Sequence, residues 1–309
     1  MKILLFTFVL CTISKLAFSS DQVLILTSAY NRPDFVEMQY KTFRKFLSED
    51  HELVVFNDAN QPDLKKAIEA TCFRLGIRCF NIPQKIHNQP YLKREKGEDF
   101  NLPAVRNANV VQYALNHLGF FHDGIVIIID SDMFLTKPFS AKKLLKDTPI
   151  AGVPQSYQNN GIAISYLWIG LAFLDMTRLP NKESLNFNCG RIRGVPVDAG
   201  GYTYYYLQNH PEIKPTYFSM LHDSNLRCSN CQQNNQSTPC THNLEKLLEL
   251  GLDNDQISLL QNGFQNFEFG LNLTFLHYRG GSNWDHRSRE FHETKTRLFS
   301  NYLNKITQD

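Results

Sequence analysis

The sequence predicts an α/β domain whose mostly parallel central sheet is flanked by helices. Three observations carry that reading. Apolar runs without alternation, VLILTS (residues 23–28), LVVFND (53–58) and GIVIIID (124–130), have the pattern of strands covered on both faces. Segments of helical spacing separate them, as in a doubly wound sheet. The last run ends in Asp130-Ser131-Asp132. In such sheets the carboxyl ends of the strands are where ligands bind.

The elements follow in order. The first strand leads through the loop AYNRPD into an amphipathic helix, FVEMQYKTFRKFL. The second strand ends in Asp58 and precedes a helix over residues 64–75 and a third strand around 79–82. Residues 102–118 form the helix that enters the strand at 124–130, so four strands separated by helices lead up to Asp130. Further on, IAGVPQ and YLWIGLAFLDM read as strands, the second closed by Pro180. Residues 194–201 make a glycine-rich turn before the helical YTYYYLQNH. Residues 244–264 read as helical, and FEFGLNLTFLHY reads as a final pair of short strands.

The chain of 309 residues can bury a sizeable core, and its formal charge of +2 is spread without a basic face, which gives no case for nucleic-acid binding. Residues 1–20 resemble a secretory signal, with an early lysine, an apolar run and small residues at 17–20. An uncleaved membrane anchor and a buried first strand are the other readings. The remainder, residues 21–309, is expected to form one domain. Cys72, Cys79, Cys189, Cys228, Cys231 and Cys240 are an even set compatible with disulfides. Cys228, Cys231, Cys240 and His242 also have the spacing of a structural Zn2+ site, and free thiols are the third alternative. In each case the segment looks like a stapled loop.

Chemistry concentrates at Asp130 and Asp132, whose hard oxygens suit Mg2+ or Mn2+. An Asp-x-Asp pattern is weak alone, and Asp253-Asn254-Asp255 matches equally well. That second pair lies ahead of a helical segment, where an aspartate serves as an N-cap. The apolar strand before Asp130 is what separates the two.

With these stretches in place, nearly all of residues 21–309 resembles the GT-A glycosyltransferases, Rossmann-like enzymes that use nucleotide-diphosphate sugars and a divalent metal. The resemblance to the glycogenin-like and galactinol-synthase-like branches lies in IIIDSDMF, LWIGLAFLD, PVDAGGYTYYYL and HYRGGSNW. It implies that Asp130, Asp132 and His277 hold Mn2+ or Mg2+, with Gly280 letting backbone approach a diphosphate. Asn283 and Trp284 stand where those branches have Lys-Pro-Trp, so Arg279 or Arg287 is the expected diphosphate clamp. Trp168-Ile169-Gly170 replaces an Asn-x-Gly, giving an apolar wall beside the sugar. Tyr30 and Arg32 in the opening loop, Asp58, Arg106 and Ser131 complete the implied donor site. Asp198, at a strand-to-helix corner, is the candidate general base or hydroxyl-positioning carboxylate, and a helix N-cap is its structural alternative.

The implied donor is a nucleotide sugar, UDP-linked by preference, and the acceptor is left open among glycans, proteins and small molecules. The leader points to the secretory-pathway lumen or to export, to the cytoplasm if it is not a signal, and to membrane attachment only if it is retained. Two rivals belong beside this reading. Haloacid-dehalogenase-type phosphatases also place Asp-x-Asp after an apolar strand, but continue with Thr or Val where this chain has Phe134. A silent GT-A-like module that binds sugar or protein is the other.

Overall fold

The computed structural model describes residues 22–88, 103–159, 162–222, 244–261, 267–281 and 289–308. The leader, the Cys228/Cys231/Cys240/His242 loop, Asn283, Trp284 and Arg287 lie outside them.

The first half alternates strand and helix as expected: β1 (Val23–Ala29), α1 (Pro33–Phe46), β2 (His51–Asn57), α2 (Pro62–Leu75), β3 (Arg78–Asn81), α3 (Pro103–His117) and β4 (Ile125–Asp130). Proline opens α1 and α2, where its missing N–H costs nothing. Gly76, at φ +68°, stops α2 in the left-handed region. β1 pairs in parallel with β2 on one side and β4 on the other. Its side chains alternate between two cores. Val23 and Ile25 pack with Val36 and Phe43 of α1 and Ile68 of α2, while Leu24 and Leu26 pack with Val105, Ala108, Val111 and Leu115 of α3. Strand order reverses between β1 and β4, so Asp130 emerges at the switch point.

Two strands then extend the sheet, β6 (Ile150–Asn159) and β7 (Ile162–Asp175), after the short β5 (Met133–Leu135) and α4 (Ala141–Leu144). β7 lies antiparallel to both β4 and β6, the departure from an all-parallel sheet. Only Asn160-Gly161 separates β6 from β7, too short for a parallel crossover and a dipeptide suited to hairpins. The pairing register shifts between Gly152 and Pro154, since proline cannot donate to the ladder.

The expected turn at 194–201 is interrupted by a strand: β8 (Gly190–Ile192) and β9 (Val195–Val197) form a hairpin that turns at Arg193-Gly194, and the chain turns again at 199–202 ahead of α5 (Thr203–Asn209). β10 (Thr216–Tyr217) closes the order β10-β6-β7-β4-β1-β2-β3. The helical stretch after residue 244 divides at Gly251 into α6 (Leu244–Glu249) and α7 (Asn254–Gln261). Asp253 caps α7: its carboxylate accepts from Gln256 N–H at 2.8 Å while Gln256 Oε1 accepts from Asp253 N–H at 3.1 Å.

A second sheet runs β11-β12-β13-β5, using β11 (Met220–His222), β12 (Glu268–Gly270) and β13 (Phe275–His277). A helix that the sequence reading omitted, α8 (Arg289–Thr307), packs on it through Phe299, Tyr302 and Leu303 against Phe35, Phe134 and Tyr278. Among the described residues, no helix is long and apolar enough to cross a membrane. Cys72 and Cys79 are free thiols, contrary to the disulfide alternative for those two.

Candidate active site and metal centre

The carboxyl ends of β1 and β4, the turn after β4 and the segment after β13 enclose a cleft of about 370 Å³. Asp130, Ser131, Asp132, His277, Gly280, Asp198, Asp58, Arg106, Tyr30 and Trp168 all line it. The volume lies within the range of small-molecule sites.

Two short strands assemble the candidate metal cluster. β5 follows directly on the aspartate turn, and β13 pairs with it so that His277 lies opposite Met133. Tyr278 N–H donates to the Asp132 carbonyl at 2.8 Å, which locks that register beside the acids. Oxygen and nitrogen atoms of Asp130, Asp132 and His277 consequently lie within 4.8 Å of one another. Two carboxylates and an imidazole converging in this way fit a divalent cation, since carboxylate oxygens suit Mg2+ or Mn2+ and imidazole completes a mixed set.

Charge in the cluster is tightly interdependent. Burial pushes the Asp130 carboxyl up to about 6, with the Asp132 charge adding to the rise. Burial acts the same way on Asp132, but the His277 imidazolium 3.3 Å away and the Gly281 N–H outweigh it and hold that acid down at about 2. For His277, burial favours the neutral ring, yet Asp132 and Glu268 prevail and raise it to about 10. Two acids facing one cationic ring is a constellation that a metal ion would reorganise by displacing the proton.

Other side chains hold the aspartate turn. Asn107 of α3 donates to Asp130 Oδ1 at 2.6 Å and accepts from the Ser28 hydroxyl at 2.7 Å. The buried Gln39 of α1 donates to the carbonyls of Asp130 and Met133, at 2.7 and 2.9 Å. Gly281 N–H donates to Asp132 Oδ2 at 2.9 Å. A Cβ at Gly281 would meet Phe35 Cε2 at 2.4 Å and Asp132 Cβ at 2.9 Å, so the position takes glycine alone. Gly280 lines the cleft at φ +73° with open space around it.

At the far end of the cleft, the buried Asp58 carboxylate accepts from Arg106 at 2.8 and 3.1 Å and lies 2.9 Å from His87 Nε2. Arg106 stands over the Tyr30 ring at 5.4 Å. Arg106 is therefore a cleft residue rather than part of a solvated helix face. Asn109, by contrast, turns inward to His87.

Two predicted donor residues point elsewhere. Arg32 is buried against Phe35, 3.4 Å from the ring centroid, pairs with Asp34 and donates to the Gly281 carbonyl at 2.7 Å. Arg279 pairs with Glu268 at 3.2 Å. Neither lines the cleft, because their sequence neighbours Tyr30 and Gly280 take the inward positions.

Asp198 lies on the opposite wall, near enough to Asp130 for their charges to repel. Its carboxylate accepts from Ala199 N–H at 2.8 Å, and its own N–H donates to the Tyr166 hydroxyl at 2.9 Å. Tyr202, rather than Asp198, occupies the N-cap of α5. Trp168 lies between these walls with its ring 5.5 Å from the His277 ring. Gly170 makes room for that indole, since a Cβ there would fall 2.1 Å from it.

The sequence reading missed Gln39, His87, Glu268 and Lys295. Lys295 of α8 is buried and donates to the carbonyls of Tyr278 and Arg279 at 2.6 and 3.2 Å. A lysine in an unremarked amphipathic segment gives no signal of burial, whereas Gln39 on the apolar face of α1 was detectable as a polar residue at a core position.

No family model and no curated protein sequence matches the chain. Among solved structures it is similar to the bifunctional glycosyltransferase WbbM, at 10% identity and TM-score 0.40, over 64% of this chain and 38% of that one. It is also similar to a mannosyltransferase from Pyrobaculum calidifontis in complex with GDP-Man and Mn2+, at 14% identity and TM-score 0.39, over 63% of this chain and 54% of that one. A third is glucosyl-3-phosphoglycerate synthase from Mycobacterium tuberculosis, at 14% identity and TM-score 0.38, over 64% of this chain and 69% of that one. The chain thus spans less than two thirds of the first two structures.

Proposed function

We propose that the protein is a metal-dependent glycosyltransferase that takes a sugar from a nucleotide-diphosphate donor, with UDP favoured over GDP. The convergence of Asp130, Asp132 and His277 at the switch point of the sheet carries this reading. These three residues would hold Mn2+ or Mg2+, which supplies charge neutralisation for the departing diphosphate. Gly280 and Gly281 bring backbone to that end of the cleft. Asp58, Arg106 and Tyr30 form the polar and aromatic end suited to a nucleoside.

The sugar then lies between the cluster and Asp198, against the Trp168 indole, whose apolar surface suits a pyranose face. Asp198 serves as base toward an acceptor hydroxyl if the anomeric centre inverts, or positions hydroxyl groups if configuration is retained. Cleavage of residues 1–20 and residence in a secretory lumen complete the proposal. The acceptor is outside it.

Calorimetric titration with UDP and GDP, with Mn2+ present and then chelated, tests the reading. Manganese-dependent binding of one nucleotide is expected. Absence of binding of both with metal present overturns it and favours a silent scaffold.

A further inference from the structure

Glu268 is a buried carboxylate that does not line the cleft. It sits on β12 directly across the ladder from His277 on β13. Its Oε2 lies 2.9 Å from His277 Nδ1, while Oε1 meets His222 Nδ1 at 2.7 Å and Arg279 Nη1 at 3.2 Å. The same imidazole turns Nε2 toward Asp132, 3.3 Å away. An ionised carboxylate only accepts, so the ring nitrogen facing Glu268 must carry hydrogen. In a neutral imidazole that leaves the lone pair on Nε2, the nitrogen directed at the two aspartates.

A carboxylate buried within a short antiparallel ladder needs a compensating interaction, because burying a charge is costly. Its partners supply one: three donors converge on two oxygens, and one of them is the imidazole that faces the acids.

We propose that Glu268 is a positioning residue that acts through His277, fixing the tautomer and ring orientation that make Nε2 a ligand for a divalent cation. The inference rests on the reading of Asp130, Asp132 and His277 as a metal site and names a residue that supports it. Carboxylates in this position typically contribute about 10- to 100-fold to metal affinity.

The test is Mn2+ affinity, read by electron paramagnetic resonance on the full chain, in wild type, E268Q, E268L, H277A and the two double variants. E268Q keeps an acceptor for Nδ1–H and is expected to stay within about threefold of wild type, whereas E268L should lose about tenfold or more. In the H277A background, where Asp130 and Asp132 keep a weaker Mn2+ site even though nucleotide binding is lost, neither change should have any further effect. A protein that lacks folded E268L is tested with E268D, whose shortened carboxylate withdraws from Nδ1 and should also lose affinity only when His277 is present. Wild-type affinity in the Leu and Asp variants, or an equal loss with and without His277, overturns the proposal. Failure of the wild type itself to bind Mn2+ overturns the metal site, and this inference with it; binding by wild type and E268L alike overturns this inference alone.

Discussion

Met133 and His277 face one another across the ladder of β5 and β13, so the residue after the second aspartate sets the height of the imidazole. A slip of one position would turn His277 to the opposite face of the small sheet. The Tyr278 N–H bond to the Asp132 carbonyl opposes that slip. His277 is thus placed by strand pairing, not by its own loop.

Asp130→Ala, Asp132→Ala and His277→Ala should each abolish metal-dependent nucleotide binding in calorimetry. Asp132→Ala should also lower folding stability by about 1–3 kcal/mol, because the Gly281 N–H loses its acceptor. Retention of full binding by any one variant removes that residue from the ligand set.

Gly281→Ala and Gly280→Ala should differ. The first forces a methyl group onto Phe35 and Asp132 and should cost about 1–3 kcal/mol, with weakened Mn2+ binding. The second meets open space at φ +73°, so its cost of about 1 kcal/mol comes from backbone conformation alone. Chemical denaturation and a metal titration of both variants check the contrast.

Stability and metal affinity should respond to alkali in opposite directions. His277 rises from an ordinary 6.5 to about 10, so its ion pairs stabilise the metal-free fold fully below pH 6.5 and are lost as pH climbs through 10. The same proton competes with the metal for the ring. Mn2+ affinity should therefore increase between pH 7 and 9, by up to about tenfold per unit for one displaced proton. Thermal midpoints without metal and Mn2+ titrations across that range measure the two trends. A flat metal affinity would contradict the competition.

Asp198→Asn keeps the oxygen that accepts from Ala199 N–H while removing the charge. Donor binding should persist and turnover should fall by about 10²–10⁴ if the carboxylate is the general base. Loss of binding with unchanged turnover would assign it instead to the donor.

The first half of the fold was legible because each element carries its own period: uninterrupted Ile125 to Ile129, helical spacing through Phe35, Gln39 and Phe43. Asp253 was legible as a cap for the same local reason. The antiparallel β7 was not, although Asn160-Gly161 marked its hairpin. β5 is three residues long and takes its form from β13, far along the chain, so no local pattern announces it. At the site, residue types revealed Asp130, Asp132 and His277, but not direction: Arg32 and Arg279 are one or two positions from cleft residues and point away.

The grip of Lys295 on the carbonyls of Tyr278 and Arg279, with that of Arg32 on Gly281, ties completion of the candidate site to α8, a helix that follows both aspartates and His277 in the chain. A chain emerging from the ribosome carries both aspartates long before α8 exists to fasten the histidine segment. Half-made copies should consequently be chemically inert. A truncation before Arg289 should keep the large sheet's secondary structure and yet hold no manganese.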